Sequence, residues 1–345
     1  IINSFFNGWL DLANDPQSMA ARQSLSSTAV ELTDRMKRIY NALVVMREDI
    51  NVQISNIPDE INRISSEIAD LNVAIRKVEV SGQTANDLRD KRDLLVDELT
   101  KYADVRMIER EDGTAMILVG NNVVVERETS STLSVKSAPI NDEGLTRTVI
   151  VAEDGSEYKP TRGELGALLN LRDTIIITLM GELNTLAEGI VETINTTHAA
   201  GYGLDGVSGR NFFDPDLVRA YNISLSEDIS DLTHIAVSGD GTPGDNANAL
   251  NINNLKTVKV IDGFTINEYY NSLISDLGVL ARDAHDGRMN QELLITQIDN
   301  ARETVKGVSI DEEMVLMIQA QRIYQSASRM IVVVDQLLEE VINLK

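Results

Sequence analysis

The chain has 345 residues, with 54 acidic against 31 basic side chains, a formal charge of -23 and no cysteine. Zero cysteine removes disulfides, thiolate metal sites and cysteine nucleophiles together, and it lets a chain pass between reducing and oxidising compartments without redox chemistry. The acidity argues against nucleic acid or an anionic membrane surface as a main partner, and no apolar run approaches the roughly 18 residues that span a bilayer.

Hydrophobic residues at 43% and charged residues at 25% are the composition of a folded chain, and the length suggests two or three domains. Aromatics are only 4%, so a core of Leu, Ile, Val, Ala and Met suits helix-on-helix packing. No basic segment followed by an apolar stretch and a small-residue cleavage site opens the chain, so no Sec-type signal is expected. A start at Ile1 rather than Met implies further residues upstream.

Helical periodicity dominates from the N-terminal side. Leu25, Ala29, Leu32, Met36, Ile39, Leu43, Met46 and Ile50 alternate steps of four and three, and Ile54, Ile57, Ile61, Ile64, Ile68, Leu71, Ile75 and Val78 continue them after a double step of four. This is a heptad seam with one stutter, and fifty-odd helical residues make a rod of roughly 80 Å. Met36 and Met46 are expected in its packed core. Pro58 lies inside the series and predicts a kink or break, with a kinked rod and an antiparallel hairpin both open. Ser81-Gly82 ends the pattern, and a second helix follows from about Thr84, with Leu88, Leu95, Leu99 and Tyr102 on one face.

Residues 105–160 read as strands at Val105–Arg110, Met116–Val119, Val123–Arg127 and Thr146–Val151, with Asp112-Gly113 and Asp154-Gly155 as hairpin turns. Thr161-Arg-Gly-Glu164 has the form of a capping box opening a helix through Leu169, Ile176, Leu179, Leu183, Leu186 and Ile190. Residues 201–263 are loop-rich. A second box, Thr265-Ile-Asn-Glu268, precedes a seam from Tyr270 to Val305. Gly307 interrupts, and a third box, Ser309-Ile-Asp-Glu312, opens the last helix.

That helix carries Tyr324, Ala327, Ile331, Val334, Leu338 and Val341 at steps of three and four, and Ile323, Met330, Leu337 and Leu344 in a second stripe seven apart. Two apolar stripes demand burial against partners. With Met314 and Met317 ahead of them, residues 314, 317, 323, 324, 327, 330, 331, 334, 337, 338 and 341 form the expected interface.

The expected fold class is mainly α with a smaller β part. A helical rod domain comprises 1–104, 164–200 and 264–306. Residues 105–163 form an inserted β-rich module and 201–263 a loop-rich one, and 307–345 form a protruding C-terminal amphipathic helix.

Little points to chemistry. Gly201-Tyr-Gly-Leu-Asp-Gly206 spells GxGxxG, but a helix rather than a strand precedes it, so a glycine-rich helix stop is the expected reading. His198, His234 and His285 are far apart and lack metal-ligand spacing. Neither a nucleophile elbow nor a Walker loop occurs, and Asp240 to Asp245 lack the alternating ligands of a calcium loop. No catalytic, cofactor-binding or metal-ligating residue is expected.

Several segments resemble one family. They are Phe5-Phe-Asn-Gly-Trp-Leu-Asp-Leu-Ala-Asn-Asp-Pro-Gln-Ser, the stretch from Asn86 to Leu99, Arg162-Gly-Glu-Leu-Gly-Ala-Leu-Leu-Asn-Leu-Arg172, Asn195 to Gly206 and Gly209-Arg-Asn-Phe-Phe213. All resemble the flagellar hook-associated protein 1 family, FlgK. The tail from Val308 to Leu344 is similar to the C-terminal helix shared by flagellar axial proteins. The resemblance implies a further terminal helix before Ile1 that pairs with the tail, and a compact version of an outer domain that larger members carry.

It also implies an extracellular structural adaptor of the flagellum at the hook–filament junction. Its partners would be further copies in a ring, the hook protein, the next junction protein and an export chaperone holding the C-terminal helix, with no nucleic acid and no membrane. Passage would be through the flagellar type III export channel. The competing reading of the heptads is a coiled-coil signalling or adhesion protein with no flagellar role, which would dimerise through the 25–78 seam.

Overall fold

The computed structural model describes residues 1–139, 146–306 and 310–343, except for the side chains of 305, 306, 310, 312 and 337–343. By their contacts they divide into one unit over Ile1–Leu273 and another over Ile274–Lys345.

The first unit is organised along one helix. A short helix α1 (Ile2–Asn14) turns at Asp15 into α2 (Met19–Glu79), 61 residues long, or about 90 Å of helix at 1.5 Å per residue. Ser18 caps it, its Oγ accepting from the Ala21 N–H at 3.3 Å. The helix runs unbroken through the buried Pro58, so the hairpin alternative is excluded.

The buried stripe of α2 follows the expected seam except in its middle. There Tyr40 and Arg47 are buried, whereas Ile39 and Met46 are 39% and 48% exposed. The expectation of Met46 in the core is therefore wrong. Apolarity alone favoured 39 and 46, but burial is decided by the neighbours. Tyr40 packs against Tyr221, the rings tilted by 47° with centroids 5.3 Å apart, and Arg47 lies in the electrostatic reach of Arg172 and Asp173.

Helix α3 (Asn86–Tyr102) folds back on α2, burying Leu99 and Arg92. Two antiparallel sheets follow. The first takes β1 (Val105–Glu109), β2 (Ala115–Val119), β3 (Asn122–Glu126) and β4 (Thr129–Ser130) in chain order, with a register shift at Ile117/Leu118. The second takes β5 (Ser134–Pro139), β6 (Thr146–Val151) and β7 (Glu157–Tyr158). Both Asp-Gly turns form as expected. Gly113 and Gly155 sit at φ +80° and +83°, a region open to glycine without a Cβ clash. The preceding Asp112 and Asp154 each accept from the N–H two residues on, at 3.1 and 2.8 Å.

Three asparagines of α2 fasten the sheets. Asn72 donates to the Ala115 carbonyl at 2.8 Å and accepts from the Ala115 N–H at 3.0 Å. Asn62 does the same to Leu133, at 2.8 Å in both directions, and Asn51 spans Thr146 and Thr148. A carboxamide has the donor and acceptor of a peptide group, so each side chain pairs with backbone groups, and at Ala115 these are buried.

Helix α4 (Gly163–Asn170) passes through a π turn at Leu171–Ile175 into α5 (Ile176–Ala200). The box expected at Thr161–Glu164 does not form. Arg162 takes the N-cap position with no side-chain bond, because Gly163, at φ +71° and packed on the Ala103 backbone, starts the helix one residue late. The π turn carries Arg172, whose guanidinium donates to Asn51 Oδ1 at 3.0 Å, to the Thr148 carbonyl at 2.6 Å and to Asp173.

The segment from Gly163 to Ala200 contains an 18-residue window of mean hydropathy 1.3, apolar enough by composition to cross a bilayer. This corrects the expectation drawn from uninterrupted runs. Here the segment is a core helix, with Ile176, Met180, Leu183, Leu186, Ile190 and Ile194 buried. Residues 201–263 hold α6 (Ala247–Asn254) and short 3-10 turns. Their Phe212, Phe213, Ile223, Ile235 and Ile252 share one hydrophobic cluster with Phe5, Trp9 and α2.

Helix α7 (Ile266–Lys306) opens on the reciprocal box expected at Thr265. The Thr265 N–H donates to Glu268 Oε2 at 2.8 Å, and the Glu268 N–H donates to Thr265 Oγ1 at 3.1 Å. In the second unit α7 continues, and α8 (Ile310–Asn343) follows. Gly307, the cap residue Ser309 and Leu344 lie outside the described residues.

Candidate functional site

The groups that could have signalled chemistry are absorbed into structure. His198 is fully buried beside Trp9 and Phe212. Its Nε2 accepts from the Ala236 N–H at 2.9 Å, which places the proton on Nδ1, and Nδ1 donates to the Arg210 carbonyl at 2.8 Å. Burial pushes the imidazole down to about 4. Such a ring is a neutral cross-brace between the end of α5 and two loop segments.

The GxGxxG segment lies just past the C-terminal end of α5, at the negative end of its dipole, where no phosphate is favoured. Gly203 donates to the Val207 carbonyl, and the Leu204 N–H to the Thr233 carbonyl, so this backbone is spent on itself. Asp205 is held down to about 2, chiefly by its hydrogen bond from Arg210. Among the described residues no cluster of three or more His, Asp or Glu could hold a metal.

What remains open is apolar helix surface. On α8 Ile323, Met330 and Ile331 are each 70% exposed and Tyr324 is 76% exposed. Met314, Met317, Ala327 and Val334 are exposed as well. At 3.6 residues per turn, 323, 327, 330 and 334 step by four, three and four along one side, with 324 and 331 flanking them. The helix therefore brings the two stripes together as one broad face. Leu337, Leu338 and Val341 continue it in sequence, and their side chains lie outside those described. On α7 Ile274, Leu277, Leu280, Leu294 and Ile298 are likewise exposed.

An apolar strip on α2 was not foreseen. Ile39, Val45, Met46 and Val52 lie on its outer side, Val45 and Val52 at 60% and 61% exposure. A sequence signal for it existed: Val44 and Val45 are adjacent and so point about 100° apart on a helix, and Val44 packs against the core while Val45 is exposed. The heptad pattern masked it.

The first unit is a helical body with small inserted modules, braced by buried polar clamps, and the helices of the second unit carry open apolar stripes. Residues 1–213 match the family described as flagellar hook-associated protein FlgK helical domain, and 305–344 match flagellar basal body rod FlgEFG protein C-terminal. The chain belongs to the FlgK family of flagellar hook-associated proteins.

Among its relatives is flagellar hook-associated protein 1 of Bacillus subtilis (strain 168), 26% identical over 382 residues, covering 99% of this chain and 75% of the relative. The protein of that name from Escherichia coli (strain K12) is 23% identical over 442 residues, covering 100% and 80%. Alignments longer than the chain mean that these relatives carry segments without a counterpart here. The solved flagellar hook junction protein FlgK from Burkholderia pseudomallei is 26% identical, with a TM-score of 0.55 over 62% of this chain and 40% of that one. This chain is a protein of the bacterial flagellum, of a structural family. The reading as a signalling or adhesion protein without a flagellar role is set aside by that membership.

Proposed function

We propose that the chain is a structural adaptor of the hook–filament junction, whose copies form a ring on the distal hook through packing of their terminal helices. The observation that carries this reading is the α8 face, where Ile323, Tyr324, Met330 and Ile331 stand 70–76% exposed. Each such side chain is worth about 2 kcal/mol when covered, and so large an open apolar surface marks an interaction site. The partners are terminal helices of the same and neighbouring subunits, then the hook protein and the next junction protein. Before export the same face is covered by a chaperone, because it would otherwise aggregate. The absence of cysteine suits a chain that crosses an export channel unfolded and refolds outside.

The test is Ile323→Asp with Ile331→Asp. Chaperone binding and swimming should both be lost, while the melting of the 1–273 body is unchanged. Survival of motility with both substitutions in place would sink the reading.

A further inference from the structure

Arg47 stands in the middle of α2 and is 2% exposed. Its Nε and Nη2 are both buried and meet no acceptor among the described residues. A guanidinium does not shed its proton in a protein, and a buried cation is costly unless something pairs with it. The Nε–H and Nη2–H bonds point the same way and form a fork that grips an anion through two parallel hydrogen bonds. The neighbouring Arg172 shows such a fork in use, its Nε and Nη2 holding the two oxygens of Asp173 at 2.8 Å each.

The charges around Arg47 do not occupy its fork. Burial, and after it the Arg172 charge, act against the Arg47 cation. Asp173 acts in its favour, but Arg172 holds both oxygens of that carboxylate, and Arg147 lies 3.6 Å from one of them. Glu48 also favours the charge, yet it is exposed and leaves the helix about 100° round from Arg47. Tyr40 contributes least.

A second observation falls at the same place. Arg172 and Asp173 belong to the π turn Leu171–Ile175, and such widened turns within α-helices recur at functional sites. The turn packs on α2, with Arg172 Nη1 donating to Asn51 Oδ1 at 3.0 Å, one helical turn beyond Arg47. With Arg47 so deeply buried, neither an organic acid nor a side chain from another protein has a way in. An ion of atomic size, enclosed as α2 and the π turn come together, does fit the fork.

We propose that the Nε–Nη2 fork of Arg47 holds a small inorganic anion of chloride size, enclosed between α2 and the π turn. The site lies within the first unit and does not depend on the junction reading.

An anion bound by the folded chain alone raises the melting temperature as its concentration rises. The full chain would be melted over a range of potassium chloride, with potassium gluconate holding the ionic strength constant. Gluconate is too large to be enclosed, and the control is needed because a chain of charge -23 responds to salt of any kind. Over a hundredfold rise in chloride the parent should gain about 4 °C. Arg47→Met, with neither charge nor fork, should gain nothing and should melt at or above the parent at the lowest chloride. Crystals of the parent grown in bromide give a second measurement that needs no variant, in which an anomalous scattering peak should lie beside both Nε and Nη2.

A parent that melts alike at every chloride level would overturn the proposal, as would an equal gain in Arg47→Met. So would a water or a carboxylate oxygen at the fork in the bromide crystals.

Discussion

His198 holds its place only as a neutral ring, because its Nε2 must accept from the Ala236 N–H. Unfolded, an imidazole binds its proton near pH 6.5; folded, this one does so at about 4. Between those values the unfolded chain holds the extra proton, so the stabilisation is complete above about pH 6.5 and declines as pH falls toward 4. The loss amounts to at most about 3 kcal/mol. Thermal melts of the parent and His198→Gln, taken from pH 7 to 4, should show a steeper fall for the parent; parallel curves would contradict this. Asn72 makes a second residue-scale case. Asn72→Ala leaves the Ala115 N–H and carbonyl buried without partners, and denaturant melts should show a loss of about 2 kcal/mol or more. Neither residue was legible as a brace in the sequence, where one read as an isolated histidine and the other stands just off the heptad seam, next to Leu71. Their roles depend on backbone groups 12 to 43 residues away in the chain.

Among the elements, long periodic helices and turn chemistry were the legible part. The α2 seam, both Asp-Gly turns and the Thr265–Glu268 box are local patterns with local causes. Thr265→Ala removes the cap of α7 and should cost about 1 kcal/mol, read as a lowered melting temperature of the full chain. The strands β4, β5 and β7 were missed for a physical reason. Two have only two residues, and β5 is largely exposed, with Ser, Lys and Pro in place of an apolar alternation. The Thr161 box failed because a single glycine conformation moved the helix start. The shift from Ile39 and Met46 to Tyr40 and Arg47 was illegible because a helix pattern does not say what stands opposite it. The same shift is what leaves the outer α2 strip uncovered. Of the α8 interface residues, the exposure of Ile323, Tyr324, Met330 and Ile331 follows from apolar stripes on a helix that the unit does not cover.

At the scale of the molecule, no described residue beyond Ile266 is buried. The hydrophobic cluster and the side chains packed against it all come from residues up to Tyr269. A chain ending at Leu273 should melt cooperatively within a few degrees of the parent; a broad transition, or one lowered far more than that, would show hidden dependence. Within the first unit α2 passes every module in turn, and Asn51, Asn62 and Asn72 are its points of attachment. At about 100° per residue these three lie within roughly a quarter turn of one another. Their spacing makes the helix a ruler with a phase. Deleting a single residue between Asn51 and Asn62 would rotate one sheet's anchor about 100° relative to the other's. Whole groups of about eleven residues, close to three full turns, would keep the anchors aligned. The length of α2 is thus free to change only in discrete steps, while the loops of the modules hung on it can grow or shrink one residue at a time.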